Sequence, residues 1–182
     1  MNFTLTTERL VLRVLYPEDA FLVTNFYKRN SAFLENREPN VSPILTDTSA
    51  MCDAMGYELD KTTRGCFIRY WYAPKESPDS LYGTVCLQNI TMSAFHSAGI
   101  GYKQDIACMG RGYATEAVAA VINEAFANGD IHRIGAQVLT DNQPSIKLLE
   151  KLGFHREGIE KSSVKILGEW RDCYRYALLD QG

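Results

Sequence analysis

Apolar and polar residues alternate along several stretches of the chain with a period of two, the spacing of a strand with one buried face. Arg9–Leu15 is the first such stretch and predicts a strand near the N-terminus. Further strand-like runs are Gly65–Ala73, Leu81–Ile90, Ala98–Ile106, His132–Leu139 and Asp172–Asp180. Ala73–Ser80 is dense in turn-forming residues and predicts a hairpin between the runs on either side of it.

Four other stretches have helical spacing. Pro17 opens the first, and a weaker one lies within Asp47–Asp60. The third follows Gly112 and stops at Asn128-Gly129, and the fourth, capped by Asp141-Asn142, is short and ends at Gly153. Because several strands follow one another without an intervening helix, we expect an α+β protein with a mixed, mostly antiparallel sheet and flanking helices.

Composition narrows the class of protein. The 182 residues suit a single domain spanning residues 1–182, and the net charge of −3 argues against direct binding to nucleic acid. No signal peptide and no apolar run of membrane-spanning length is present, so we expect a cytoplasmic protein. The five cysteines and three histidines lack the spacing of a metal site, and no metal is predicted.

The stretch that carries chemistry is MGRGYATEAVAAVINEAF, Met109–Phe126, in which two glycines lead directly into a helix. A helix N-terminus leaves backbone N–H groups unpaired, and glycine lets a ligand approach them. This pattern predicts an anion site for phosphate, with Arg111 as a further partner. The amides expected to converge there belong to Gly110, Arg111, Gly112, Tyr113, Ala114 and Thr115. The pattern is neither a Walker A loop nor a dinucleotide fingerprint, and a glycine turn without a ligand is the alternative.

The same stretch resembles the pyrophosphate loop of the GNAT acetyltransferase superfamily, Gln/Arg-x-x-Gly-x-Gly/Ala, except that Met109 replaces the first residue. The resemblance continues through Asn142-x-x-Ser145 and Glu150–Phe154. Further motifs resemble the branch that acetylates N-terminal alanine or serine of ribosomal proteins; they are Thr7–Arg13, Phe33-Leu34, Glu38-Pro39, Phe95-His96, Ile100–Tyr102, His132–Ile134 and Gly168–Asp172.

This resemblance implies a GNAT fold in which the family's fourth and fifth strands splay apart and acetyl-CoA, the co-substrate, lies in the gap. It implies that backbone groups of Asp105, Ile106, Ala107 and Cys108 contact the pantetheine, and that an amide near Ile106 polarises the thioester carbonyl. Gly110–Thr115 would then hold the pyrophosphate. Asn142 and Ser145 would lie near the thiol, although Asn142 as a simple helix cap and Ser145 as a polar first-turn residue are alternatives.

Two departures from the family pattern concern proton transfer. Leu149 stands where many GNAT enzymes have a tyrosine acid, and Gln137 where related alanine acetyltransferases have a glutamate base. Ser145 becomes the expected proton donor to the CoA thiolate. The base stays open among Glu38, Glu35, His96 and Asp172, with Glu38 ranked first because it belongs to the branch pattern; a solvated loop acid is its alternative role.

The resemblance therefore implies an N-acetyltransferase acting on the N-terminal α-amine of a ribosomal protein or similar peptide, as a monomer or homodimer. Arg37 stands where the branch often has tryptophan, which leaves the acceptor open. Two alternatives remain at this point: a GNAT enzyme for a small amine, and a CoA-binding module without catalysis.

Overall fold

The computed structural model describes residues 1–34 and 43–181. Within those residues the chain forms eight strands and four α-helices. The strands are β1 (Thr4–Thr6), β2 (Leu10–Arg13), β3 (Phe67–Pro74), β4 (Gly83–Thr91), β5 (Ser97–Gln104), β6 (Arg133–Leu139), β7 (His155–Ile166) and β8 (Glu169–Leu179). The helices are α1 (Ala20–Leu34), α2 (Thr48–Thr63), α3 (Tyr113–Asn128) and α4 (Gln143–Lys151). None of these helices is long and apolar enough to cross a membrane.

All eight strands belong to one sheet in the order β1-β2-β3-β4-β5-β6-β8-β7. Every neighbouring pair is antiparallel except β5 and β6, which are parallel. The predicted α+β class with a mixed, mostly antiparallel sheet is confirmed.

Three strands differ from the sequence prediction. β7 is absent from it because almost every residue of the strand is exposed, so no apolar alternation marks it. β5 ends at Gln104 rather than Ile106, because Ile106–Cys108 forms a 3₁₀ turn instead of continuing the strand. β1 is an additional short strand, so the family's fourth and fifth strands correspond to β5 and β6 here.

The sheet has a hydrophobic core on each face. One core packs α3 and α4 against alternate strand residues such as Tyr70, Tyr72 and Ile134. The opposite core packs α1 and α2 against Trp71, whose ring meets Phe26 edge-on at 5.2 Å between centroids. Ala20, Val23, Phe26 and Tyr27 form the apolar stripe of α1 and lie in this second core. We call the two sides the α3/α4 face and the α1/α2 face.

β5 and β6 separate after three paired positions. Ser97, Ala98 and Gly99 pair with Arg133, Ile134 and Gly135, and no pairing follows toward the C-terminal ends. The expected divergence of these two strands is therefore confirmed. Beyond Gly99 and Gly135 the sheet is open, and we call this opening the fork.

The backbone groups of β5 that line the fork follow from strand alternation. Asp105 donates its amide to Tyr82 O on the β4 side at 2.8 Å, whereas His96 O accepts from Arg133 on the β6 side. Successive residues point their N–H and C=O groups to opposite edges of a strand. Ile100, Tyr102 and Gln104 therefore direct their backbone groups toward β6, where no strand pairs with them.

A substitution at Gly83 tests how tightly β3, β4 and β5 pack next to the fork. A Cβ atom there would lie 2.2 Å from Lys103 O and 2.3 Å from Tyr72 Oη, and Tyr72 is fully buried. We expect Gly83→Ala to lower the free energy of unfolding by about 1–3 kcal/mol through overpacking. Urea denaturation measures this, with Gly158→Ala as the control because nothing lies within 4 Å of its added Cβ. Equal stability of the two variants would contradict the close packing.

Candidate functional site

Gly110–Thr115, which we call the glycine corner, lies beside the open end of the fork. Gly110 and Gly112 have φ angles of 75° and 79°, in the left-handed region that glycine favours. Gly112 is the N-cap of α3 and has no side chain to satisfy the helix amides. The first α-helical hydrogen bond runs from the Glu116 amide to Gly112 O at 3.0 Å.

The amides from Gly110 to Thr115 make no hydrogen bond with any residue in the described parts of the chain. Five amides N-terminal to this stretch are all bonded inside the protein: those of Asp105, Ile106, Ala107, Cys108 and Met109. The change from paired to unpaired amides occurs between Met109 and Gly110. A run of free, converging N–H groups at a helix N-terminus is suited to an anion.

Two expectations from the resemblance, coenzyme contacts at Asp105–Cys108 and a polarising amide near Ile106, stay predictions, and the 3₁₀ turn shows how these amides are bonded within the protein. The Ile106 amide donates to Asn30 Oδ1 at 3.0 Å. The Ala107 amide donates to Asp105 Oδ1, and that carboxylate also pairs with Arg29 at 2.5 Å. The side chains of Asn30 and Asp105 thus occupy two of these amides, whereas no strand pairs with the backbone groups of Ile100, Tyr102 and Gln104 on the β6 side.

Arg9, which directly precedes β2, contacts the glycine corner and holds it in position. Its Nη1 donates to Arg111 O at 3.0 Å, and its guanidinium lies 4.6 Å from the centre of the Tyr113 ring. Glu116, in the first turn of α3, accepts from Arg9 Nε at 2.6 Å and from Thr7 Oγ1 at 2.5 Å. Partial burial would raise the pKa of Glu116, but these hydrogen bonds outweigh it and lower that pKa. The carboxylate stays ionised and holds Arg9 in place.

Ser145 and Asn142 lie at the N-terminus of α4, next to the fork. Asn142 is confirmed as the N-cap, since its Oδ1 accepts from the Ser145 amide at 3.4 Å. The Ser145 hydroxyl lies 2.6 Å from the hydroxyl of Tyr102. Tyr102 belongs to the part of β5 that pairs with β4 but not with β6. Burial raises the pKa of Tyr102 to about 12, so this phenol stays protonated at neutral pH.

The four residues expected as candidate bases are Glu35, Glu38, His96 and Asp172. Glu35 and Glu38 lie outside the described residues, as does Arg37. His96 lies at the paired end of β5, about 20 Å along the strand from Tyr102, and its Nδ1 contacts Asp130 O at 2.9 Å. Asp172 accepts hydrogen bonds from Lys161 Nζ and the Ser162 amide, and these bonds lower its pKa.

Sequence reasoning missed Tyr102 and Arg9 as parts of this site, although both belong to motifs that carry the resemblance. Leu149 is fully buried in the core, consistent with its lack of a chemical role. In the described parts of the chain no group of three or more His, Cys, Asp or Glu side chains is arranged to hold a metal ion.

A family model described as an acetyltransferase (GNAT) domain matches residues 9–155. The chain belongs to the GNAT acetyltransferase family. It is therefore an acyltransferase whose acyl donor is acetyl-CoA, and the free amides of Gly110–Thr115, with no Cβ at Gly110 or Gly112, fit an anionic diphosphate.

Two curated relatives show how far the similarity extends within the GNAT family. A probable N-acetyltransferase YjcK of Bacillus subtilis is 46% identical over 104 residues, which is 57% of this chain and 58% of that protein. The [ribosomal protein uS5]-alanine N-acetyltransferase of Escherichia coli is 31% identical over 175 residues, 96% of this chain and 89% of that protein.

Two solved GNAT structures share the fold over nearly the whole chain. The ribosomal-protein-S5-alanine acetyltransferase from Vibrio fischeri has a TM-score of 0.93 and 26% identity, covering 99% of this chain and 98% of that one. Mycobacterium smegmatis RimJ in complex with CoA-disulfide has a TM-score of 0.88 and 25% identity, covering 94% and 82%. The resemblance to the ribosomal-protein branch is confirmed by these relatives.

Gly112→Val tests the corner as an anion site. A branched side chain would occupy the approach to the free amides, so we expect the dissociation constant for CoA to rise by roughly 10- to 100-fold, the loss of one to two strong hydrogen bonds. Isothermal titration calorimetry measures it. Gly168→Val is the control, because Gly168 also has a positive φ (88°) but lies in the turn between β7 and β8. Unchanged CoA affinity in a folded Gly112→Val protein would contradict the assignment.

Proposed function

We propose that residues 1–182 act as one GNAT domain in the cytoplasm and transfer an acetyl group from acetyl-CoA to the N-terminal α-amine of a ribosomal protein or similar peptide. The observation that carries this proposal is the alignment over 96% of the chain with the uS5-alanine N-acetyltransferase of E. coli. The similarity to the V. fischeri enzyme, with a TM-score of 0.93, supports the same branch.

The chemistry of an α-amine agrees with the modest catalytic groups at the fork. An α-amine has a pKa near 8, so about a tenth of it is free base at neutral pH, whereas only a few molecules in ten thousand are free base for a lysine side chain. An enzyme for α-amines therefore needs only a moderate base.

The residues of the fork take distinct roles in the proposed reaction. Bound acetyl-CoA supplies an activated thioester. Backbone amides of Gly110, Arg111, Gly112, Tyr113, Ala114 and Thr115 hold its diphosphate, and backbone groups of the Ile100–Gln104 segment hold the pantetheine arm. An amide of that same segment, in place of Ile106, polarises the carbonyl oxygen. Asn142 fixes the first turn of α4 and so the position of Ser145.

Ser145 and Tyr102 supply the proton for the leaving thiolate. Their hydroxyls lie 2.6 Å apart, so a proton donated by Ser145 is replaced from Tyr102. The raised pKa of Tyr102, caused by burial, keeps that proton in place until the thiolate forms. Serine alone is a poor acid, and the adjacent tyrosine hydroxyl returns a proton to it as the serine gives one up.

Ser145→Ala tests the proton donor. We expect turnover to fall on the order of 10- to 100-fold, because protonation of the thiolate is slowed, while CoA affinity changes by less than about twofold. Thiol release followed with a thiol-reactive dye gives turnover, and calorimetry gives affinity. Tyr102→Phe is the companion variant, which keeps the ring. Full activity of Ser145→Ala would remove the serine from this role, and a slow Tyr102→Phe beside it would assign the donation to the tyrosine.

A panel of acceptors tests the function itself. The protein and acetyl-CoA are incubated with peptides beginning with Ala, Ser, Met or Gly, and with small amines such as spermidine. We expect acetylation of the Ala- and Ser-initiated peptides at the α-amine, located by tandem mass spectrometry. A matched peptide with a blocked N-terminus is the control. Acetylation of small amines alone would overturn the peptide assignment, and CoA binding without any turnover would overturn catalysis.

A further inference from the structure

One carboxylate on the α1/α2 face reaches the β6 wall of the fork. Glu160, on β7, accepts a hydrogen bond from Gln137 Nε2, and Gln137 lies on β6 two residues past the last position paired with β5. Ile134, Ala136 and Val138 point into the α3/α4 core, so by alternation Gln137 points to the opposite face. Glu160 therefore lies on the α1/α2 face beside the open part of the sheet.

The surroundings of Glu160 fix its position and leave room for one more hydrogen-bond donor. Ser163 Oγ donates to Glu160 Oε2 at 2.8 Å, and Arg175 Nη1 lies 3.4 Å from Oε1. The glutamate side chain is 28% exposed. An ionised carboxylate accepts about four hydrogen bonds, and the described contacts use three. One acceptor position remains for an incoming donor.

A bulge in β7 creates this arrangement. The pairing of β7 with β8 shifts register between Glu160 and Val164, and Ser162 has a φ of 49°, in the left-handed region that a serine rarely adopts. The bulge turns Ser163 back so that its hydroxyl meets Glu160. Bulges re-aim side chains in this way next to functional sites.

Glu160 lies on the opposite face of the sheet from the hydroxyls of Tyr102 and Ser145. Tyr102 packs against the α3/α4 core, and Ser145 belongs to a helix of that core, so both hydroxyls lie on the α3/α4 face. At the last paired position both strands have glycine, Gly99 and Gly135, so no side chain covers that point on the α1/α2 face. An amine approaching from the α1/α2 face thus meets the carboxylate, while a thiolate leaves toward the hydroxyls.

We infer that Glu160 is the proton acceptor for the amine substrate of this enzyme, acting directly or through one water molecule. The inference rests on the proposed N-acetyl transfer. The ammonium form of the acceptor gives one proton to Glu160, and the neutral amine attacks the carbonyl carbon, so that a C–N bond forms and the C–S bond breaks. The second amine proton passes to solvent, and the thiolate takes a proton from Ser145, which solvent replaces through Tyr102. One proton is released overall.

Other charged groups near Glu160 are already paired or lie farther from the fork. Lys161 pairs with Asp172 at 2.7 Å, and Arg175 is the one cation that contacts Glu160 among the described residues. Cys173 faces Glu160 from β8, and burial, with the Glu160 charge, raises the pKa of its thiol, so it stays neutral. Glu157 pairs with Arg133 at the closed end of the fork, where β5 and β6 are still hydrogen-bonded.

The test compares Glu160→Gln with Glu157→Gln on an Ala-initiated peptide between pH 6.5 and 9.5. We expect Glu160→Gln to lower kcat/KM by about 100-fold at pH 7, and the loss to shrink to a fewfold at pH 9.5, where an α-amine is already free base. Glu157→Gln should stay near wild type throughout. Glu160→Gln combined with Gln137→Glu should recover much of the rate, because it moves the carboxylate by one hydrogen bond.

Two results would overturn the inference: wild-type rates for Glu160→Gln at pH 7, or a loss of the same size at every pH. Binding provides a readout that does not depend on turnover. With CoA present, a peptide with a free α-ammonium should bind Glu160→Gln about fivefold more weakly than wild type, whereas its N-acetylated form should bind both equally. Equal binding of the free peptide to both proteins would also count against Glu160.

If the acceptor panel identifies spermidine rather than peptides, the peptide proposal fails but the pH comparison is repeated with spermidine. The convergence of the two rates is then expected above pH 10, the range in which aliphatic amines lose their proton. Glu160 is thus tested separately from the identity of the acceptor.

Discussion

The divergence of β5 from β6 is the constraint on which the rest of this structure depends. Backbone N–H and C=O groups are costly to leave unpaired away from water, so a sheet that opens in its middle needs another partner for its inner edges. The two strands share only three paired positions, and the edges beyond Gly99 and Gly135 face each other without hydrogen bonds. A bound molecule with its own amides, such as the pantetheine arm, satisfies such edges.

The glycine corner, like the fork, has backbone groups without a partner in the protein, here at the start of a helix. The amides up to Met109 are bonded within the protein, and those from Gly110 onward are left free. Arg29 and Asn30 of α1 hold the bonded half, and Arg9 of β2 holds the free half. The described structure thus has its donors organised in advance, which reduces the reorganisation that binding would otherwise require.

The sequence was informative where one feature of the chain decides the local structure. Gly112 before an apolar helical stripe predicted the start of α3, and Asn142 predicted the cap of α4. β7 escaped prediction because its residues are exposed and its place in the sheet comes from pairing with β8. The hydrogen bond of the Ile106 amide escaped prediction because its partner, Asn30, lies 76 residues earlier in the chain.

The groups proposed for proton transfer show the same limit. Ser145 was found from a motif, but its partner Tyr102 is 43 residues away and becomes visible only when β5 and α4 are placed together. Glu160 carries no motif at all, and its relation to Gln137 depends on two strand registers and a bulge. Local pattern therefore predicted the glycine corner and the cap of α4, whereas the contacts of Tyr102 and Glu160 come from tertiary structure.

The brace between Arg9 and the corner joins residues more than 100 positions apart, since the Arg9 amide reaches Glu116 across 107 residues. Contacts so distant in sequence carry a larger loop-closure cost than local ones. A ligand that binds the corner therefore selects molecules in which Arg9 and the start of α3 are already packed together. Occupancy by the coenzyme would then shift the unfolding equilibrium of the whole chain by mass action, coupling the lifetime of the enzyme in the cell to the supply of its acyl donor.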